Sequence, residues 1–113
     1  MAREGLGASR STKRRAFEAE ALRTLGEIQA RHEAEQWAAA SQSYREAADL
    51  AEDLGMRPLV AHCHLGFGKL YCATNERERA REHFTTAATM YREMGMRYWL
   101  ESVERELESL TGR

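Results

Sequence analysis

His62, Cys63 and His64 stand side by side, with Cys72 and His83 further along the chain. Histidine and cysteine are the usual ligands of zinc, which needs three or four such groups converging at ~2.0–2.3 Å. The spacing works against that chemistry. On a helix of ~3.6 residues per turn, His62 and His64 project about 200° apart, and Cys63 and Cys72 about 180° apart. Neither a metal nor a cofactor is expected, and both cysteines read as small apolar packing groups. The glycine-rich stretch GLGASRST (5–12) lacks the Lys-Ser/Thr that follows the glycines of a phosphate loop, and no strand precedes it. Asp49 and Asp53 fall at i and i+4, which reads as a solvated helix face rather than a catalytic carboxylate pair. No Ser, His and acid arrangement stands out, so no enzymatic activity is expected.

The rest of the composition narrows the classes further. The chain has 113 residues and a formal net charge of −1, with 31% of residues charged. That fits one domain and lacks the basic excess of a dedicated nucleic-acid binder. The basic residues that do cluster are Arg3, Arg10, Lys13, Arg14 and Arg15, against Glu4 alone. Residues 1–13 are accordingly expected to form a flexible basic arm ahead of a helical domain spanning 14–111. Two cysteines make no disulfide framework, so a reduced, cytoplasmic setting is expected. No apolar run approaches the ~18 residues of a membrane span.

The elements that must position any binding residues follow from a repeat. DLGMR (53–57) returns as EMGMR (93–97). At the same offset Ala40 meets Ala80, Tyr44 meets Phe84, Ala47 and Ala48 meet Ala87 and Ala88, and Leu25-Gly26 meets Leu65-Gly66. Self-similarity at a period of ~20–50 residues marks a solenoid. Trp37, Ala40, Tyr44, Ala47, Ala51 and Leu54 lie at spacings of three and four, one apolar stripe on a helix. Gly55 and Gly95 follow such stripes as left-handed helix ends, and Pro58 sits just inside the next start. The pattern predicts five antiparallel helices near 14–31, 35–54, 57–74, 76–94 and 97–111. The fold class is all-α, built of helical-hairpin repeats.

Gly68, Tyr71, Ala80, Phe84 and Ala87 fall at the spacings of the tetratricopeptide repeat, which this chain resembles over roughly residues 14–111. Ala40, Tyr44 and Ala47 carry the second half of the same pattern one unit earlier. An offset of forty sets Ile28 where Gly68 stands and Arg31 where Tyr71 stands. The segments GMRPLVAHCHLGFGKLY and REHFTTAATMYREMGMRYWLE also look like the terminal repeats of large bacterial signalling ATPases and cyclase-type regulatory proteins.

The resemblance implies a non-catalytic module that binds a partner peptide or helix on the concave face, lined by the first helix of each pair. The implied positions are His62, Leu65, Lys69 and Cys72, with Leu22, Leu25 and Gln29 in the preceding unit and Ser102, Arg105 and Ser109 in the last helix. The alternative is a structural C-terminal cap of a larger array that self-associates as a homodimer when isolated, with Tyr98, Trp99 and Leu100 as anchors.

Overall fold

Three chain reversals among the described residues share one geometry. Gly55 and Gly95 each take φ +70°, and Asn75 takes φ +64°. Behind each, the next amide reaches back across the end of the preceding helix: Met56 to Ala51, Glu76 to Tyr71 and Met96 to Tyr91, at 2.8–2.9 Å. This is the paired-bond helix terminus that favours a residue without a Cβ penalty. Asn75 fills it because asparagine tolerates the left-handed region better than other side-chain-bearing residues.

The computed structural model describes residues 2–31 and 36–111, with side chains from residue 11 onward. Five helices follow one another: α1 (Ala2–Arg31), α2 (Trp37–Leu54), α3 (Arg57–Ala73), α4 (Arg77–Met94) and α5 (Arg97–Thr111). Neighbours in sequence pack against each other, so the chain is an all-α stack of antiparallel hairpins, α1–α2 and α3–α4, closed by α5. No strand occurs among the described residues. None of the helices is long and apolar enough to cross a membrane. The expected helix limits agree to within two residues except at the start. There α1 begins at Ala2, so the basic stretch expected to be an arm is the first part of a helix. Nor do residues 5–12 form a loop that could cradle a phosphate.

The core follows the small-residue and aromatic positions. Ala61, Leu65, Ala80, Phe84, Ala87, Ala88, Tyr91 and Val103 form one buried cluster across α3, α4 and α5. A second cluster joins Ala19, Ala51, Leu59 and Val60 across α1, α2 and α3. Fully burying a residue such as Phe84 contributes about 1.5–3 kcal/mol. Glycines set how closely the helices approach. A Cβ at Gly68 would collide with the Phe84 ring, and one at Gly66 would come within 2.5 Å of the Tyr44 ring. α3 thus receives one ring from its own hairpin and one from the hairpin before it.

The two hairpins are offset by different amounts in their two halves. Gly26 meets the Tyr44 ring eighteen positions later, whereas Gly68 meets Phe84 after sixteen. Five residues separate α1 from α2, and three separate α3 from α4. The second helices therefore match at an offset of forty, and the first helices at forty-two. The polar contacts confirm the second value: Arg15 pairs with Asp53 as Arg57 pairs with Glu93. Gly26, not Ile28, is the structural counterpart of Gly68. Gln29, not Arg31, is that of Tyr71.

Candidate functional site

α3 presents His62, Leu65, Gly66, Lys69 and Leu70 along one face, at the three- and four-residue spacings that align side chains on a helix. That face is the floor of a groove of about 240 Å³. Arg23, Glu27 and Arg31 of α1 form one wall, Trp99 of α5 stands at the other side, and Tyr44 of α2 closes the bottom. The walls come from three successive first helices, which places the groove on the inner side of the stack.

Its charge is uneven. Arg23, Arg31 and Lys69 face a single acid, Glu27. Glu27 is already engaged by Arg23 at 3.3 Å, one helical turn away. Arg31 and Lys69 make no ion pair among the described residues. Arg23 Nε is buried and has no hydrogen-bond partner there either. A buried donor left unpaired costs about 1–3 kcal/mol, which an incoming acceptor can recover.

The apolar flank is held rigidly. His62 Nδ1 lies 2.6 Å from the Tyr91 hydroxyl, and its ring meets Trp99 edge-on at 4.6 Å between centroids. Burial, reinforced by the Arg23 charge, pushes the His62 pKa down, so the imidazole is neutral at pH 7. Burial lifts the Tyr44 hydroxyl to about 12, and Tyr44 stays a phenol. Cys63 is fully buried and its thiol is pushed up to about 12, which removes it as a nucleophile. No group of three or more metal-ligating side chains occurs among the described residues. The groove thus sets the positive charge of Arg23, Arg31 and Lys69 beside the Trp99 ring.

The structure gathers some of the expected site residues and scatters others. His62, Leu65 and Lys69 lie together in the groove. Cys72 packs against the core cluster of α3, α4 and α5. Leu25 is on the opposite, outer face of α1. Gln29 accepts a hydrogen bond from Ser43 at 2.7 Å within the first hairpin, and Leu22 lies beside Asp49 and Leu50 of α2. The cause is the two-residue difference in connection length, which turns α1 so that Arg23, Glu27 and Arg31 face the groove instead. Arg105 is on the far side of α5, between Glu101, Glu104 and Glu108. Of the three expected self-association anchors, Tyr98 is exposed, Trp99 forms the groove wall, and Leu100 packs into the core. Of the repeat-packing positions, Ala40, Tyr44, Ala47, Ala80, Phe84 and Ala87 are buried, and Tyr71 is partly buried.

One pairing has no counterpart in the sequence reading. His64 and His83 come from different helices and bring their Nδ1 atoms within 3.0 Å. Their rings stack at 5.2 Å, and the His83 ring also stacks on Phe67 and Tyr71. One imidazole donates and the other accepts, so the pair holds while at least one ring is neutral. At an offset of forty His83 takes the place of Ser43, which bonds to Gln29 in the first hairpin.

Comparisons with protein-family models, with curated proteins and with solved structures return no match for this chain.

Proposed function

We propose that the chain is a non-catalytic protein-interaction module of the tetratricopeptide kind, working in the cytoplasm without a cofactor, and that its groove holds an acidic segment of a partner protein. The observation that carries this reading is the charge of the groove. Three cations face one acid, and Arg31 and Lys69 make no ion pair among the described residues. Trp99 and Leu65 add apolar contact beside those charges, so an extended segment with carboxylates next to an apolar side chain fits both features. Interfaces draw specificity from such charge complementarity and most of their energy from a few central aromatic and arginine contacts.

Selection from a displayed peptide library tests it. Enriched sequences should carry clustered Asp and Glu. Their affinity should fall at least about tenfold in the Arg31→Glu/Lys69→Glu variant and weaken as salt is raised. The thermal midpoint should stay unchanged, because Lys69 and Arg31 are exposed. Enrichment of neutral or basic peptides, or equal binding by the double variant, would sink the proposal.

A second reading, a terminal piece of a longer array, draws on α5. Its outer face carries Glu101, Glu104 and Glu108. Glu108 occupies the place that Gly68 holds in α3, so no further ring can seat there as Phe84 does.

A further inference from the structure

α3 has two polar faces. His62, Leu65 and Lys69 look into the groove. His64, Phe67 and Tyr71 follow one another at three and four residues on the other side of the helix, about 180° away at ~3.6 residues per turn. There α4 brings up His83. Its ring stacks on Phe67 at 4.9 Å, on His64 at 5.2 Å and on Tyr71 at 5.4 Å. An imidazole touched by three rings has little freedom to turn, and the Nδ1 atoms of His64 and His83 are held 3.0 Å apart.

Joining two helices at this point does not require histidines. In the first hairpin Ser43 holds the position of His83 and bonds to Gln29 at 2.7 Å. Two imidazoles offer what serine and glutamine do not, a pair of nitrogen lone pairs turned toward one point. Zinc takes imidazole nitrogen at ~2.0–2.1 Å with tetrahedral angles, which sets two nitrogens about 3.3–3.4 Å apart. The pair has to open by only about 0.3–0.4 Å to admit such an ion. The nearby charges suit a cation. Glu52 of α2 is the carboxylate whose charge reaches His64. Arg79, a cation that bears on His83, is drawn aside by Glu76 at 3.4 Å and lies over the Tyr71 ring. Burial keeps both imidazoles neutral at pH 7, the form that binds metals. Both rings are also partly exposed, so water can fill the remaining coordination positions.

We infer that His64 and His83 form a binding site for a divalent transition-metal ion of the zinc class, held by their two Nδ1 atoms and completed by water. The ligands come from different helices, so the bound ion ties α3 to α4. It sits on the side of α3 away from the groove and takes no part in gripping a partner. Binding needs both rings in the tautomer that carries hydrogen on Nε2. The hydrogen shared between the Nδ1 atoms therefore moves to the bare Nε2 of its own ring through solvent, and no net proton is released at pH 7. Imidazole ligands select zinc, copper or nickel over magnesium and calcium, which prefer oxygen.

The experiment adds zinc chloride to the full chain and follows the imidazole nitrogens by two-bond proton–nitrogen NMR. The Nδ1 signals of His64 and His83 should move together and saturate at one ion per chain. His62, whose Nδ1 is bonded to Tyr91, should keep its signal. The thermal midpoint should rise by at least about 5 °C at free zinc a hundredfold above the Kd, and magnesium should leave it where it is. His64→Gln and His83→Ser should each weaken zinc binding at least about tenfold and remove the rise. A shift of only one of the two Nδ1 signals, no response of either ring up to millimolar zinc, or an equal rise in His83→Ser would overturn the inference. The NMR titration uses the unaltered chain, so it decides the matter even where a variant fails to fold.

Discussion

In α3–α4 a glycine faces a phenylalanine ring, and in α1–α2 a glycine faces a tyrosine two residues further along the chain. The hairpins close on the same kind of contact, but what surrounds it differs. The second hairpin adds a histidine pair and stacked rings where the first has a hydrogen bond between Gln29 and Ser43. Its first helix is covered on both sides, whereas α1 is covered on one. The second hairpin is thus the stability centre of the chain. The first is the adaptable side, where Arg23 and Arg31 face the groove and Phe17 and Leu25 face outward.

The largest test of that difference is the ring itself. Phe84→Ala leaves a cavity in the main cluster and should cost about 3–5 kcal/mol in a denaturant melt. The glycines then separate the hairpins. Gly68→Ala forces a Cβ into the Phe84 ring and should destabilise by about 1–3 kcal/mol, although alanine is otherwise the better helix former. Gly26→Ala brings its Cβ to 3.0 Å from the edge of Tyr44. A small ring shift absorbs that, and the gain in helix propensity of about 1 kcal/mol offsets it, so the change should be near neutral. Equal losses at Gly26 and Gly68 would mean that the hairpins are equally rigid and that the comparison fails.

Acid should act on the histidine pair of the second hairpin. Burial, the neighbouring His64 and the Arg79 charge together hold the His83 pKa at about 4, below its ordinary 6.5. His64 is pushed down as well, chiefly by burial and against the pull of Glu52. A depressed imidazole means that the unfolded chain binds more protons than the folded one between those two values. The stability it provides is present above pH ~6.5 and is lost as the pH falls toward 4. With allowance for solvent screening the loss is about 1–2 kcal/mol. His83→Ser installs the residue that the first hairpin uses at this position, and it should reduce the slope of the unfolding profile across that window, His64 and His62 accounting for what is left. An unchanged slope would show that the histidine pair does not titrate with folding.

Much of the architecture could be read from the residues. Gly55 and Gly95 mark helix ends by a conformation that other residues pay for, and the Ala40, Tyr44 and Ala47 pattern returns at 80, 84 and 87 because both second helices bury the same face. The groove was only half legible, for a physical reason. α3 carries two glycines, Gly66 for the ring of the hairpin before and Gly68 for its own. Over residues 15–31, the stretch that corresponds to α3, α1 carries Gly26 alone. Matching Gly26 to Gly66 satisfies the count of identities at offset forty. Only the geometry shows that Gly26 does the work of Gly68, and that shift moves Arg23 and Arg31 into the groove and Leu25 and Gln29 out of it. The His64–His83 contact was hidden because it depends on the rotation of α4 against α3, which no spacing within one helix encodes.

The smallest test uses a feature the hairpins share. Arg15 reaches Asp53 at 3.2 Å, and Arg57 reaches Glu93 at 2.8 Å, each tying a first helix to the end of its second. All four side chains are largely exposed, from 43% to 73%. Exposed pairs of this kind contribute about 0.2–1 kcal/mol before salt screening. Double-mutant cycles on Arg15/Asp53 and Arg57/Glu93 should therefore return coupling energies below about 0.5 kcal/mol in both hairpins, falling further in high salt. Equal small values would mean that the bridge records a common geometry while the ring and histidine contacts set the stability difference. A coupling well above that in α3–α4 alone would shift part of the difference to the surface, and the contrast drawn from Gly68 and Phe84 would have to shrink by the same amount.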